Sequence, residues 1–359
     1  MKTAKRFLPL LLVVALLISA VACAAPAADT PEAPAAQQET PAAAAPEATA
    51  EAAPAEQDKT FVFGISMPQL DNDGFKANLI GIKQFALENG VELLTADAKG
   101  TADMQMQQIE DFMTKGVDAI VMCPVDSGAL VAAVEKATAA GIPVISFDRN
   151  VSTDKLTGLA ESDNTAHGAK AADLMKEAAD KAGIPVSELK VLELMGAQAT
   201  TAGLERHNGF STRAQELGIN IIASLPAEWK MDLAYNAVMD AFQAHDDINA
   251  IYVPSDNALY SGVESALLQL GKLTEIGQEG HIIITTTDGG PQGLKGIRSK
   301  YVDACAAQSK LDMSREAMAL AYMAAQGKEI TEPIIRIQPT PITIENVEDP
   351  KHWANAINQ

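Results

Sequence analysis

From Thr60 onward the chain alternates short runs of apolar and β-branched residues with longer stretches of helical periodicity, many times over. That alternation marks strand-helix-strand units, which build parallel sheets with helices packed on their faces. The spacing predicts strands at Phe61 to Ser66, Val91 to Asp97, Ala119 to Met122 and Val144 to Phe147, with helices starting near Phe75, Thr101 and Gly128. The rhythm then restarts, with strands at Lys190 to Met195, Asn220 to Leu225, Ala250 to Val253, His281 to Thr286 and Val302 to Gln308. Ala119 to Asp126 (AIVMCPVD) matches Ala250 to Asp256 (AIYVPSD), each reading strand, proline, acidic residue, with a helix after it. A repeat of this kind predicts an α/β fold of two similar lobes, with a cleft between equivalent strand ends.

Ligands of open parallel sheets bind outside the carboxyl ends of the strands. In this chain those places are polar. Gln69, Asp71, Asn72, Asp73 and Phe75 follow the first strand, and Asp148-Arg149-Asn150 ends the fourth. The second half offers Arg206 at a helix start, Trp229, Ser255-Asp256-Asn257, Asp288-Gly289-Gly290 and Gln308. Carboxylates, guanidinium groups and amides suit a polyhydroxylated ligand, because each ligand hydroxyl both donates and accepts. Aromatic faces suit the C-H faces of a sugar ring. A lone Asp148-Arg149 pair could be structural and a lone Trp229 could be core; the company of the other polar strand ends favours a binding site.

On these residues the chain resembles the type I periplasmic sugar-binding proteins of ABC importers, close to the ribose-binding branch. The resemblance runs from about Thr60 to Val347. It rests on Gly64-Ile65-Ser66-Met67-Pro68 with Asn72 and Phe75, Gly141 to Arg149, Ser162-Asp163-Asn164, and Glu205-Arg206 followed by Gly209-Phe210. The Asp256 loop, Thr287-Asp288-Gly289 and Ala306-Ala307-Gln308 complete it. It implies Asp148, Arg149, Arg206, Asp288 and Gln308 as hydroxyl partners, Asn72 and Ser66 on the first lobe, and Phe75 with Trp229 as a stacking pair. Ser255 and Asp256 are included among the ligand-binding residues. The chain departs from the ribose pattern at Gly74, where an aromatic is expected, and at Ser255, where an asparagine is. Both changes alter the space or the hydroxyl pattern offered to a ligand. The resemblance also implies a membrane permease as partner, a monomer, no cofactor and no metal.

The lobes are expected at 59-162 plus 309-336 and at 163-308 plus 337-359. The chain would then cross three times, near Ser162, Gln308 and Ile337, forming a hinge that closes on ligand. Ahead of the lobes, Lys2, Lys5 and Arg6, an apolar run from Phe7 to Ile18 and small residues up to Cys23 have the order of a signal peptide, expected at 1-22. Ser19 to Cys23 resembles a bacterial lipobox, which implies lipidation of Cys23. Residues 24 to 58 are almost wholly Ala, Pro, Glu, Thr, Gln and Asp, a composition that favours a disordered, extended spacer between membrane and domain.

A net charge of -20 argues against nucleic acid as a partner. Cys123 and Cys305 lie in apolar runs and read as buried thiols. His167, His207 and His245 fall on predicted helices and read as solvated or locally hydrogen-bonded. Asp71 to Gly74 hints at a calcium loop, but with Gly74 sixth, Gln69 and Ile80 occupy the first and twelfth positions, where carboxylates are required. A nucleophile elbow, a Walker loop and a dinucleotide fingerprint are missing from the sequence. Two other functions stay open: a sugar-acting enzyme using Asp148 and Asp288 as a carboxylate pair, and a ligand sensor serving a chemoreceptor or kinase.

Overall fold

The computed structural model describes residues 59-357. The expected signal peptide, Cys23 and the spacer therefore lie outside the described residues. Two six-stranded sheets carry the fold. In the first, β1 (Val62–Met67), α1 (Asp73–Asn89), β2 (Glu92–Asp97), α2 (Ala102–Lys115), β3 (Ala119–Met122), α3 (Val131–Ala139), β4 (Val144–Phe147) and β5 (Gly158–Ser162) follow one another. The second takes α4 (Asn164–Ala182), β6 (Lys190–Met195), α5 (Thr201–Leu217), β7 (Asn220–Pro226), α6 (Met231–Ala244), β8 (Ala250–Val253), α7 (Ser261–Gln269), β9 (Ile283–Asp288), α8 (Pro291–Arg298) and β10 (Ala304–Ala307). Helix α9 (Lys310–Ala325) and β11 (Ile334–Ile337) return to the first sheet, and β12 (Thr340–Thr343) and α10 (Trp353–Ala356) to the second.

The strand orders are β11-β5-β4-β3-β1-β2 and β12-β10-β9-β8-β6-β7, the same winding twice. Each order reverses beside its first strand, which opens a crevice at the carboxyl ends there. The sheets differ at one edge: β11 runs parallel to β5, whereas β12 runs antiparallel to β10. Pro341 sits in β12, where an edge position tolerates a residue without an N-H. The expected α/β class with two parallel-dominated sheets is what the structure shows. Strands β5, β11 and β12 were not among the predicted ones.

Every residue of β3, β4, β8 and β10 is buried, as expected of strands covered by helices on both faces. Phe63, Ile65 and Phe147 pack toward α1 and α9, while Ile120, Met122 and Val144 pack toward α2 and α3. In the second sheet, Phe210 of α5 stacks on Tyr252 of β8 with ring centroids 4.0 Å apart. Helix α1 starts at the Asn72 cap and stops at Gly90, whose left-handed backbone (φ 66°) turns its N-H back to Ala86. Helix α3 starts at Val131 rather than near Gly128 because the Asp126 carboxylate first takes the Gly128 and Ala129 N-H groups into a turn. Helices α4 and α5 touch through glycine: a Cβ on Gly168 would lie 2.1 Å from the Arg206 carbonyl, and one on Gly209 would lie 2.1 Å from that of Thr165. That close approach sets the position of Arg206.

The chain passes between the sheets three times, from β5 to α4, from β10 to α9 and from β11 to β12. Cys123 and Cys305 are free and buried. Among the described residues no helix is long and apolar enough to cross a membrane.

Candidate ligand-binding site

At the carboxyl end of β4 the backbone turns left-handed at Asp148 (φ 64°), after its N-H has made a last ladder bond to Ala160. The turn lifts the carboxylate off the strand line, where Lys310, the first residue of α9, donates to Asp148 Oδ1 at 2.7 Å. Burial alone would raise the Asp148 pKa, but Lys310 and the adjacent Arg149 outweigh it and hold the group below its ordinary value. Arg149 is exposed, lies over the Phe75 ring at 5.5 Å and donates to the Pro124 carbonyl at 3.3 Å.

The second sheet presents a denser cluster. Asp288, at φ 97°, ends β9 and forms an ion pair with Arg206 at 2.8 Å. Its carboxylate also accepts from the Ser255 hydroxyl and the Gln308 amide. Burial pushes the Asp288 pKa up, yet Arg206, the Ser255 hydroxyl, Lys310 and Gln308 together leave it lowered. Arg206 is 4% exposed and also donates through Nε to Asn164 Oδ1 (2.9 Å) and through Nη1 to the Pro254 carbonyl (2.6 Å). Trp229, itself left-handed (φ 57°), lies against Gly196, leaving no room there for a Cβ, and its ring is 5.8 Å from the Arg206 guanidinium. The two clusters meet: the Asp148 and Asp288 charges oppose each other, and Gln308 accepts from Ser162 at 3.1 Å across a chain crossing.

The fold thus gathers Phe75, Asp148, Arg149, Arg206, Trp229, Ser255, Asp288 and Gln308 at facing strand ends. Of the other expected residues, Ser66 and Asp256 are enclosed, and Asn72 stands at the start of α1. Ser66 is fully buried, its hydroxyl tied to Gln108 (2.8 Å) and Gln105 (3.1 Å). Asp256 is fully enclosed beneath the Asp288 turn, accepting from the Gly289 and Gly290 N-H groups, the Thr286 hydroxyl and the Cys305 thiol. A Cβ on Gly293 would collide with it at 2.0 Å, and the residue is fully buried. Burial and the nearby Asp288 charge raise the Asp256 pKa to about 7. Asn72 spends its side-chain oxygen on the α1 cap, accepting from the Gly74 and Phe75 N-H groups.

His167 departs from expectation. It is buried rather than solvated, and neither ring nitrogen has a hydrogen-bond partner among the described residues. Desolvation, with the nearby Arg206 charge, lowers its pKa to about 3 and keeps it neutral. His207 is locally hydrogen-bonded, with Nδ1 2.8 Å from the buried Glu193.

Sequence reasoning missed several positioning groups. Lys310 is one. Gln105 links Ser66 to the loop after β3, donating to the Cys123 carbonyl and accepting from the Val125 N-H. Its signal was a polar residue in helical register with Ile109 and Phe112 on the buried face of α2. Trp353 donates to the Asp288 carbonyl at 2.8 Å and so steadies the second cluster from the far end of the chain.

An apolar recess of about 500 Å³ lies at the amino ends of β9 and β10, lined by Leu174, Ile184, Ile276, Ile283 and Ile344 among others. It stands apart from this cluster and holds none of the residues described above.

Two wound lobes whose facing strand ends carry paired acids and bases define a ligand-capturing protein of the two-lobed parallel-sheet class. The chain belongs to the periplasmic binding protein family: the family profile, described as a periplasmic binding protein domain, matches residues 63-329. It is 30% identical over 277 residues to the ribose import binding protein of Bacillus subtilis, covering 77% of this chain and 85% of that protein. Among solved structures, the arabinose binding protein of Geobacillus stearothermophilus superposes with a TM-score of 0.71 at 20% identity, over 81% of this chain and 99% of that one. A solute binding protein from Actinobacillus succinogenes with bound D-allose gives 0.67 at 23%, over 81% and 100%. These structural likenesses speak to the fold.

Proposed function

We propose that this protein is the extracytoplasmic sugar-binding component of an ABC importer, capturing a monosaccharide or related polyol between its lobes and delivering it to a permease. The observation that carries this reading is the pair of ionised carboxylates, Asp148 and Asp288, each held by a cation and facing each other from different lobes. Such groups bracket adjacent hydroxyls and reject ligands that lack them, because a lost hydroxyl leaves a buried partner unpaired. Both carboxylates are pulled below their ordinary pKa, so neither is a proton donor at neutral pH, as one member of a glycosidase pair must be. Capture without turnover fits that chemistry.

The lobes are 59-162 plus 309-336 and 163-308 plus 337-359, following the three crossings between sheets. Ligand contacts to both lobes favour the closed form, which the permease then reads. The first 22 residues act as the export signal, Cys23 carries the lipid, and the acidic spacer holds a monomeric domain off the membrane.

A thermal-shift screen against pentoses, hexoses and polyols tests the reading. A cognate solute at about 100 times its Kd contributes about 2.7 kcal/mol, raising Tm by roughly 5 °C. A panel in which only a chemically unrelated solute class raises Tm would sink the sugar assignment. Release of Cys23→Ser from membranes during fractionation tests the anchor.

A further inference from the structure

Lys310 is the group in the cleft with the least precedent in the sequence pattern. Its ammonium meets Asp148 at 2.7 Å, and its side chain is 12% exposed. The stem passes Gly74: a Cβ built there would have Lys310 Cε at 3.6 Å and Asn72 Oδ1 at 3.1 Å as its neighbours. The lysine therefore lies beside the space left by the aromatic expected at Gly74. An apolar wall has been exchanged for a cation.

The exchange changes the local charge balance. Arg206 pairs with Asp288 and Lys310 pairs with Asp148, which leaves Arg149 with no carboxylate partner among the described residues. Asp148 feels both Lys310 and Arg149, and the Lys310 charge also reaches Asp288, so the five groups form one cluster with three cations and two carboxylates. Asp163, at the hinge, is occupied by the α4 cap and by Gln338. Asp256 is sealed off below, where burial favours its protonated form and such charge as it carries falls on Asp288. One of the three Lys310 protons is used on Asp148, and two N-H directions stay open to a ligand. Closing the lobes over a neutral sugar would strip water from an unbalanced cation, a costly step that a ligand anion removes.

We infer that the ligand is a sugar acid, a uronate or aldonate, whose carboxylate is received between Lys310 and Arg149 in the space beside Gly74 while its hydroxyls meet Asp148 and the Asp288 cluster. This rests on the sugar-binding reading above and narrows it to a charged class.

The test is calorimetry on the whole protein with matched pairs: galactose against galacturonate, and glucose against glucuronate and gluconate. At least one acid binds at least about ten-fold tighter than its neutral parent, as a charge-assisted contact in a desolvated site requires. The preference disappears in Lys310→Met and survives in Lys310→Arg. Neutral parents that bind as tightly as every acid would overturn the charge inference and leave the sugar reading standing. Binding by neither series would overturn the charge inference, and the wider screen of pentoses, hexoses and polyols then decides the sugar reading. The comparison within the unmutated protein decides the matter even if Lys310→Met fails to fold.

Discussion

The two strand-proline-acid loops, 119-126 and 250-256, begin alike and end in different work. In each, the carbonyl of the proline after the strand holds an arginine: Pro124 takes Arg149 and Pro254 takes Arg206. The acids then diverge. Asp126 is a surface residue capping the turn before α3, whereas Asp256 is sealed under the Gly289-Gly290 turn and holds up the Asp288 loop. The arginines follow suit, Arg149 exposed with one weak hydrogen bond and Arg206 buried with three partners. One lobe holds its arginine in a dense buried network and the other leaves its arginine at the surface. Equal sequence motifs do not imply equal packing; the depth at which each acid is buried differs.

Replacing the arginines should separate the lobes most sharply. Arg206→Leu strands Asp288 as a buried charge without its cation and should cost about 3 to 5 kcal/mol of stability along with ligand binding. Arg149→Leu should lose ligand affinity with less than about 1 kcal/mol of stability, since its contacts are exposed. Urea unfolding of both variants, with titration of ligand, makes the comparison; equal stability losses would break it.

The acids should separate next, through pH. The raised Asp256 pKa means the folded state keeps a proton that the unfolded chain releases, so this group adds stability below its unfolded pKa and loses it as pH rises from about 4 through about 7. Asp256→Asn should remove that slope from a Tm profile. The lowered Asp126 pKa acts with the opposite sign, its stabilisation being lost as pH falls through the acid range, so Asp126→Asn should leave the neutral window unchanged. Matching changes in the two difference profiles would contradict the asymmetry. The smallest effect is expected from Trp353→Phe, which removes one hydrogen bond to the Asp288 carbonyl and should cost about 1 kcal/mol with a slight loss of affinity.

Much of this was legible in the sequence because periodicity is local. Strands β3, β4, β6 and β8 lie on the apolar runs, and Asp148 and Asp288 occupy the strand ends where the pattern put them, whereas Arg206, expected at a helix start, lies in the second turn of α5. Three strands were not legible for local reasons too: Gly158 to Ser162 is short and partly polar, and the last two strands are flanked or interrupted by Pro333, Pro339 and Pro341. The side that Ser66 faces was hidden because β1 is buried on both faces, which erases the alternation that reports direction. Lys310 was hidden for a different reason. Its partner Asp148 is 162 residues away, and a lysine at a helix start looks like surface until the fold brings the two together.

The pair of edge strands has a consequence for the order in which the molecule can be made. Each sheet is finished by a late strand, β11 at Ile334–Ile337 and β12 at Thr340–Thr343, and α9, just before them in the chain, covers a face of the first sheet. Neither lobe can complete its hydrogen-bond ladder while that stretch is still unmade, so a growing chain has no finished half to lock early. Contacts of such long sequence separation form slowly. The same short stretch, 334-343, therefore decides when both halves can close their sheets.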